Sequence, residues 1–238
     1  MAEIELWFYF MMTAALSPHL PHGLPRPTQA RSRRTLERVI EAATRLLDEQ
    51  TFEELTIAQV VERAGSSVGS FYARFGDKAG LLDTLDEIYA QELIATVEEL
   101  IGEAAADPPA DLADAVRHLF RPLVDFHRER RGLIRALVLE ARAHRAPRFE
   151  ERTRRMNRLT PQFVEHLLRH RGEIARSDVR RAAELGFAMA YTVMRERILF
   201  PESIALAAPP TDAELVEEIT RLLVGYLGMP DAMGRRSS

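Results

Sequence analysis

The sequence predicts an all-α protein with an N-terminal three-helix unit, a larger helical domain behind it, and about nine helices in all. Three observations carry that expectation. Apolar residues recur at three-four spacing almost throughout from residue 31 onward. No segment alternates with the period of two that a half-buried strand requires. Helix starts and stops punctuate the chain: Thr or Asp stands before apolar runs, and Gly or Pro after them.

Composition bounds what such a bundle can do. The chain has 238 residues, 46% hydrophobic and 29% charged, an ordinary balance for a globular protein. It contains no cysteine, which excludes disulfides, thiolate nucleophiles and cysteine-held zinc, and suits a reducing cytoplasm. A net charge of −4 argues against a general coat for nucleic acid but not against a local basic patch. Of 32 basic residues only Lys78 is a lysine.

Residues 1–30 stand apart. The apolar run 4–16 is too short to span a bilayer and carries Glu5 inside it, and 17–29 is rich in proline and histidine. These residues are expected to form a disordered extension, or alternatively a partner-binding or membrane-touching helix ahead of a linker. A flexible tail is expected over 231–238.

From residue 31 the elements follow in order. Leu36, Val39, Ile40, Ala43, Leu46 and Leu47 make one amphipathic face, so a first helix is predicted over 33–50. Thr56 and Gln59 form a capping box that opens a short second helix, which Gly65 closes. The stretch SSVGSFYARF, 66–75, is rich in weak helix formers yet carries three aromatic rings. As a third helix it would place Val68, Phe71 and Phe75 on one inward side, and Ser67, Ser70 and Arg74 on another. Asp77 reads as the cap of a longer fourth helix. Two short helices across a glycine turn make a helix-turn-helix candidate. The slim serine-glycine face could enter a major groove and offer hydroxyls to bases and phosphates.

The segment LTIAQVVERAGSSVGSFYARFGDKAGLL, 55–82, resembles the DNA-binding segment of the tetracycline-repressor (TetR) family of bacterial transcription regulators. The likeness is strong over 33 to about 85, and is architectural only beyond that. It implies a DNA-binding domain over 31–76 and a helical effector-binding and dimerisation domain over 77–230. It implies that Thr56 starts the second helix against the DNA backbone, and that Tyr72 and Lys78 meet phosphates. Ser67, Val68, Gly69, Ser70 and Arg74 would form the base-reading face. Lys78, the one lysine, falls at the family's phosphate position, beside a helix N-terminus. Arg26, Arg31, Arg33, Arg34 and Arg38 cluster ahead of it as a basic arm, with Arg33 and Arg34 the expected DNA contacts.

Beyond residue 85, breaks at 107–111, 128–132, 144–148 and 169–178 divide five or six helices. Residues 178–200 read as one long helix in which Ala182, Gly186 and Ala190 form a stripe of small side chains, flanked by Leu185, Met189 and Val193. Residues 211–227 open with a Thr211/Glu214 capping box and carry Leu215, Ile219, Leu222, Leu223 and Tyr226. By resemblance these two helices pair with their copies in a homodimer that reads two halves of a palindromic operator. The small-residue stripe would lie at that interface, or alternatively pack within one subunit.

The resemblance also implies an effector of unknown identity inside the helical domain. Candidate pocket residues are Phe126, Met156, Phe163, Met189, Tyr191 and Met194, with His118 and His166 as polar handles. His166 and His170 share one helix face at metal-binding spacing, but they lack the zinc-protease glutamate and a third ligand. No metal or other cofactor is expected. Glycine-rich phosphate loops and serine elbows are absent, so no enzyme is expected. The function expected is ligand-responsive regulation of transcription, as a cytoplasmic repressor. The alternative is a TetR-fold ligand-sensing or protein-binding module that does not bind DNA.

Overall fold

The computed structural model describes residues 29–143, 154, 157–203 and 208–230. Nine α-helices are described: α1 (Gln29–Glu49), α2 (Ile57–Arg63), α3 (Val68–Phe75), α4 (Lys78–Ala106), α5 (Leu112–Glu129), α6 (Arg131–Ala143), α7 (Thr160–Leu168), α8 (Val179–Leu199) and α9 (Asp212–Gly228). Two 3-10 turns, Arg171–Glu173 and Pro201–Ser203, join the later ones, and no strand occurs among the described residues. The expectations for residues 1–28, the break at 144–148, Met156 and the tail 231–238 lie outside the described residues. No described helix is long and apolar enough to cross a membrane.

Local chemistry explains the boundaries. The Thr56 hydroxyl accepts from the Gln59 amide while the Gln59 side chain accepts from the Thr56 amide, closing the capping box that starts α2. Gly65 takes φ of +56° just past that helix, a conformation a Cβ would strain. Asp77 caps α4 by accepting from the Gly80 amide at 2.7 Å, and Asp111 caps α5 through Asp114 at 2.8 Å. Thr211 and Glu214 repeat the capping box at α9. The first helix begins at Gln29, four residues before its predicted start.

The chain divides into two compact units, Met1–Glu37 and Arg38–Ser238. Within the second, α5 is the central rod: α4, α6, α7, α8 and α9 all pack on it. Its buried residues include Val116, Leu119, Phe120, Leu123, Val124 and Phe126 on one broad half, while Asp114, Arg121 and Asp125 face out on the other. Burying each large side chain of this kind contributes roughly 1.5–3 kcal/mol.

The start of α6 meets the end of α1 backbone to backbone. A Cβ at Gly132 would lie 2.3 Å from the Leu47 carbonyl oxygen, and the Gly132 amide donates to Asp48 Oδ1 at 3.0 Å. Next to this contact Arg130 donates to Glu92 Oε2 at 2.6 Å and lies over the Phe126 ring at 4.3 Å. These contacts tie the helix-turn-helix segment after Arg38 to the helices behind it.

Candidate nucleic-acid interface

Helix α3 is one-sided. Phe71 and Phe75 are 1% and 8% exposed, with their rings 5.0 Å apart. Ser67, Val68, Gly69, Ser70, Tyr72, Ala73 and Arg74 all face out. Two buried rings, worth roughly 2 kcal/mol each, anchor a helix whose own propensity is poor. Val68 departs from expectation. It is 48% exposed, on the outer side and not with the rings, because at the first helical position it projects past the layer that buries Phe71. Tyr72, 51% exposed, packs its ring edge against Phe71 at 6.0 Å.

The serines work partly for the helix itself. Ser67 is the N-cap: its oxygen accepts from the Ser70 amide at 3.2 Å, and its proton goes to Ser70 Oγ at 2.9 Å. The Thr56 hydroxyl is likewise engaged, donating to Gln59 Oε1 at 2.8 Å. A Cβ added at Gly69 would meet nothing within 4 Å, so the face there is bare backbone.

Lys78 is placed differently from its expected role. Its ammonium donates to the carbonyls of Phe52, Glu53 and Leu55 at 2.8, 3.1 and 3.0 Å, and lies 4.7 Å from the Phe52 ring centroid. Three protons meet three acceptors, so the side chain fastens the loop between α1 and α2 where a phosphate was expected. Arg34 is exposed, and half-buried Arg33 sits 3.5 Å from Glu37 on the same helix face.

The expected dimer residues divide between core and surface. Ala182, Gly186 and Ala190 are buried within the chain, and a Cβ at Gly186 would meet Leu223 Cδ1 at 2.6 Å and the Tyr226 ring at 3.1 Å. The small-residue stripe therefore seats α9 on α8, the intramolecular alternative. Leu215, Ile219 and Leu223 are core residues for the same reason, and Tyr226 is half-buried beside them. What faces out is the neighbouring row: Leu185, Met189 and Val193 on α8, and Leu222 on α9.

The expected pocket residues do not form one cavity. Phe126, Phe163 and Met194 are packed in the core, and Met189 is on the outer row. Phe163 stacks on Phe187 at 4.7 Å, and Phe187 stacks on Tyr191 at 5.8 Å. Half-buried His118 stacks on His166 at 5.5 Å. His166 donates from Nε2 to the Ala115 carbonyl at 3.0 Å, and burial lowers its pKa. His170 lies 3.4 Å from Glu173, and no group of three metal-ligating residues occurs among the described residues. Surface cavities of about 200 and 450 Å3 are lined elsewhere, the smaller by Leu47, Phe52, Gly132 and Arg135 among others.

Sequence reading missed His127. It is fully buried, donating from Nδ1 to the Leu123 carbonyl at 2.7 Å and accepting at Nε2 from the Tyr191 hydroxyl at 3.0 Å. Burial first, then the Arg195 and Arg130 charges, pulls its pKa down to about 4 against the hydrogen bond to Leu123. Its signal was available, since His127 continues the three-four spacing of Phe120 and Leu123 on the apolar face.

Residues 39–85 match the family described as bacterial regulatory proteins of the TetR family, and residues 111–227 match the tetracyclin repressor-like C-terminal domain. No curated protein matches the chain. Among solved structures, a protein of Mesorhizobium loti assigned to the TetR family superposes with a TM-score of 0.62 at 20% identity, over 83% of this chain and 96% of that one. The ketosteroid regulator KstR2 of Mycobacterium tuberculosis gives 0.59 at 18% identity, over 81% and 93%. FadR of Bacillus subtilis, in complex with stearoyl-CoA, gives 0.58 at 17% identity, over 82% and 99%. With both its helix-turn-helix and its C-terminal helices matched, the chain belongs to the TetR family of transcription regulators, which are DNA-binding proteins and not enzymes.

Proposed function

We propose that the protein is a cytoplasmic, ligand-responsive repressor that binds a palindromic operator as a homodimer. What supports the reading is one observation above the others: α3 buries Phe71 and Phe75 and turns every other side chain between Ser67 and Arg74 outward. A recognition helix needs that division, with an anchored back and a narrow front. Arg33 and Arg34 on α1 would lie along phosphates and supply sequence-independent attraction. Tyr72 would put its hydroxyl on a phosphate from the edge of the reading face, and Arg74 would reach a base or phosphate one turn further on. For Lys78 the proposed role is structural, with any backbone phosphate held by main-chain amides at the start of α4.

One short helix covers too little of an operator for tight binding, so two heads are needed. The outer row of Leu185, Met189, Val193 and Leu222 is the proposed dimer face, because burying it against a second copy removes four exposed apolar side chains from water. The effector is proposed to enter among α5, α7 and α8, where Phe163, Phe187 and Tyr191 stack and the Nδ1 atoms of His118 and His166 are buried without a hydrogen-bond partner. An apolar chain suits such walls, and FadR's partner in its crystal structure, stearoyl-CoA, carries one in its acyl group.

The test is selection of bound duplexes from a random-sequence pool with the purified full chain, repeated across a panel of apolar metabolites. Recovery of a palindrome, and its loss with one class of metabolite, is the expected result. A chain that retains no duplex under any condition would sink the repressor reading and leave the module without DNA binding.

A further inference from the structure

The reading face of α3 has an unusual content for a surface meant to recognise hydrogen-bonding base edges. Ser67 uses its proton and a lone pair on Ser70, and Gly69 has no side chain. Val68, at the first helical position, offers only two methyl groups, and these stand 48% exposed while the two phenylalanines of the helix, Phe71 and Phe75, are sealed and Tyr72 is exposed with its hydroxyl. A branched apolar side chain left in water at the tip of a helix gains little from burial inside the subunit.

The major groove presents one apolar feature on its floor, the C5 methyl of thymine. The first residues of a recognition helix are the ones that reach base edges. At Gly69 nothing projects, so the backbone can approach the groove floor more closely than any side chain there would allow. We propose that Val68 is a specificity-determining residue that selects thymine by packing its methyl groups against the thymine methyl, with Gly69 supplying the clearance. Base choice at this position then comes from apolar contact instead of a donor-acceptor pair. The inference rests on the reading that α3 enters the major groove.

Deoxyuridine differs from thymidine at this edge by the methyl alone, and it keeps O4 and the base pair. With the full chain and the duplex recovered from random-sequence selection, each thymine is replaced in turn by deoxyuridine. Symmetry-related positions are replaced together. One pair of positions should weaken binding by about fourfold per methyl, the factor expected from losing one buried methyl contact. The Val68→Ser protein should bind the thymine duplex more weakly and no longer distinguish it from the uracil duplex. Serine is well tolerated at an exposed first helical turn, so a thermal melt matching the parent protein accompanies the comparison.

A bound duplex in which no deoxyuridine replacement matters, or whose half-sites contain no thymine, overturns the proposal while leaving the DNA-binding reading intact. So does a discrimination that Val68→Ser leaves unchanged, because another residue then makes the contact. Failure to retain any duplex overturns both together.

Discussion

Lys78 shows how a single side chain can hold a loop in place. A compact ammonium with three rotatable protons meets three carbonyls at 2.8–3.1 Å, which a planar guanidinium in this arginine-rich chain could not do from one point. Lys78→Met should therefore lower stability by about 1–3 kcal/mol, since carbonyls lose their donor. Lys78→Arg should recover little of it. Operator binding by either variant should keep its salt dependence to within less than one unit of slope, where loss of a phosphate contact would change it by about one. Thermal melts and a salt titration of binding check the two halves. His127 makes a second residue-scale case. Its folded pKa of about 4 lies below the usual 6.5, so an unfolded chain takes up the proton first. The stability it contributes is complete above pH 6.5 and falls as the pH drops toward 4, by about 3 kcal/mol at most. His166 is shifted in the same direction, so the two add. Urea unfolding between pH 7 and pH 4.5 should show this slope, and His127→Gln should flatten part of it. A slope unchanged in the variant would mean that other groups drive the acid sensitivity.

Among elements, what could be read from the chain was whatever is local. The capping boxes at Thr56/Gln59 and Thr211/Glu214, the Asp77 cap and the Gly65 turn each lie within four residues, and each occurs as read. The limits of α8 fall within a residue of those predicted. What could not be read was which neighbour covers a given face. Three-four spacing groups Ala182, Gly186 and Ala190 together but does not say whether the helix against them belongs to the same chain, and here it is α9. The carbonyls around Lys78 could not be read for the same reason, as they lie 23–26 residues away along the chain. The helix-turn-helix side of the candidate site was legible because Phe71 and Phe75 mark its back. The effector side was not, because a core and a pocket use the same aromatic and methionine side chains.

For the whole molecule, the exposed row of Leu185, Met189, Val193 and Leu222 is the proposed dimer face. Met189→Glu adds a charge at its middle, on a side chain that is exposed in the subunit, so the folded monomer should keep its helicity. Sedimentation should show the dimer of the parent protein giving way to monomer. Operator affinity should fall by more than tenfold, since each chain would then hold a single half-site. A dimer that survives this change would place the contact on another surface. Replacing Gly186 is a poorer probe of assembly than its sequence suggests. Added bulk there strikes Leu223 and Tyr226 inside the subunit before it could reach a second copy.

The meeting of Gly132 with Leu47 and Asp48 leaves no slack between α6 and the end of α1. Two main chains that already touch cannot be pushed nearer, and they have no flexible side chain between them to absorb a shift. A displacement of α6 toward α1 must then move the end of α1 with it. The slightest residue larger than glycine at this point would act as a permanent shim, holding the end of α1 away from α6.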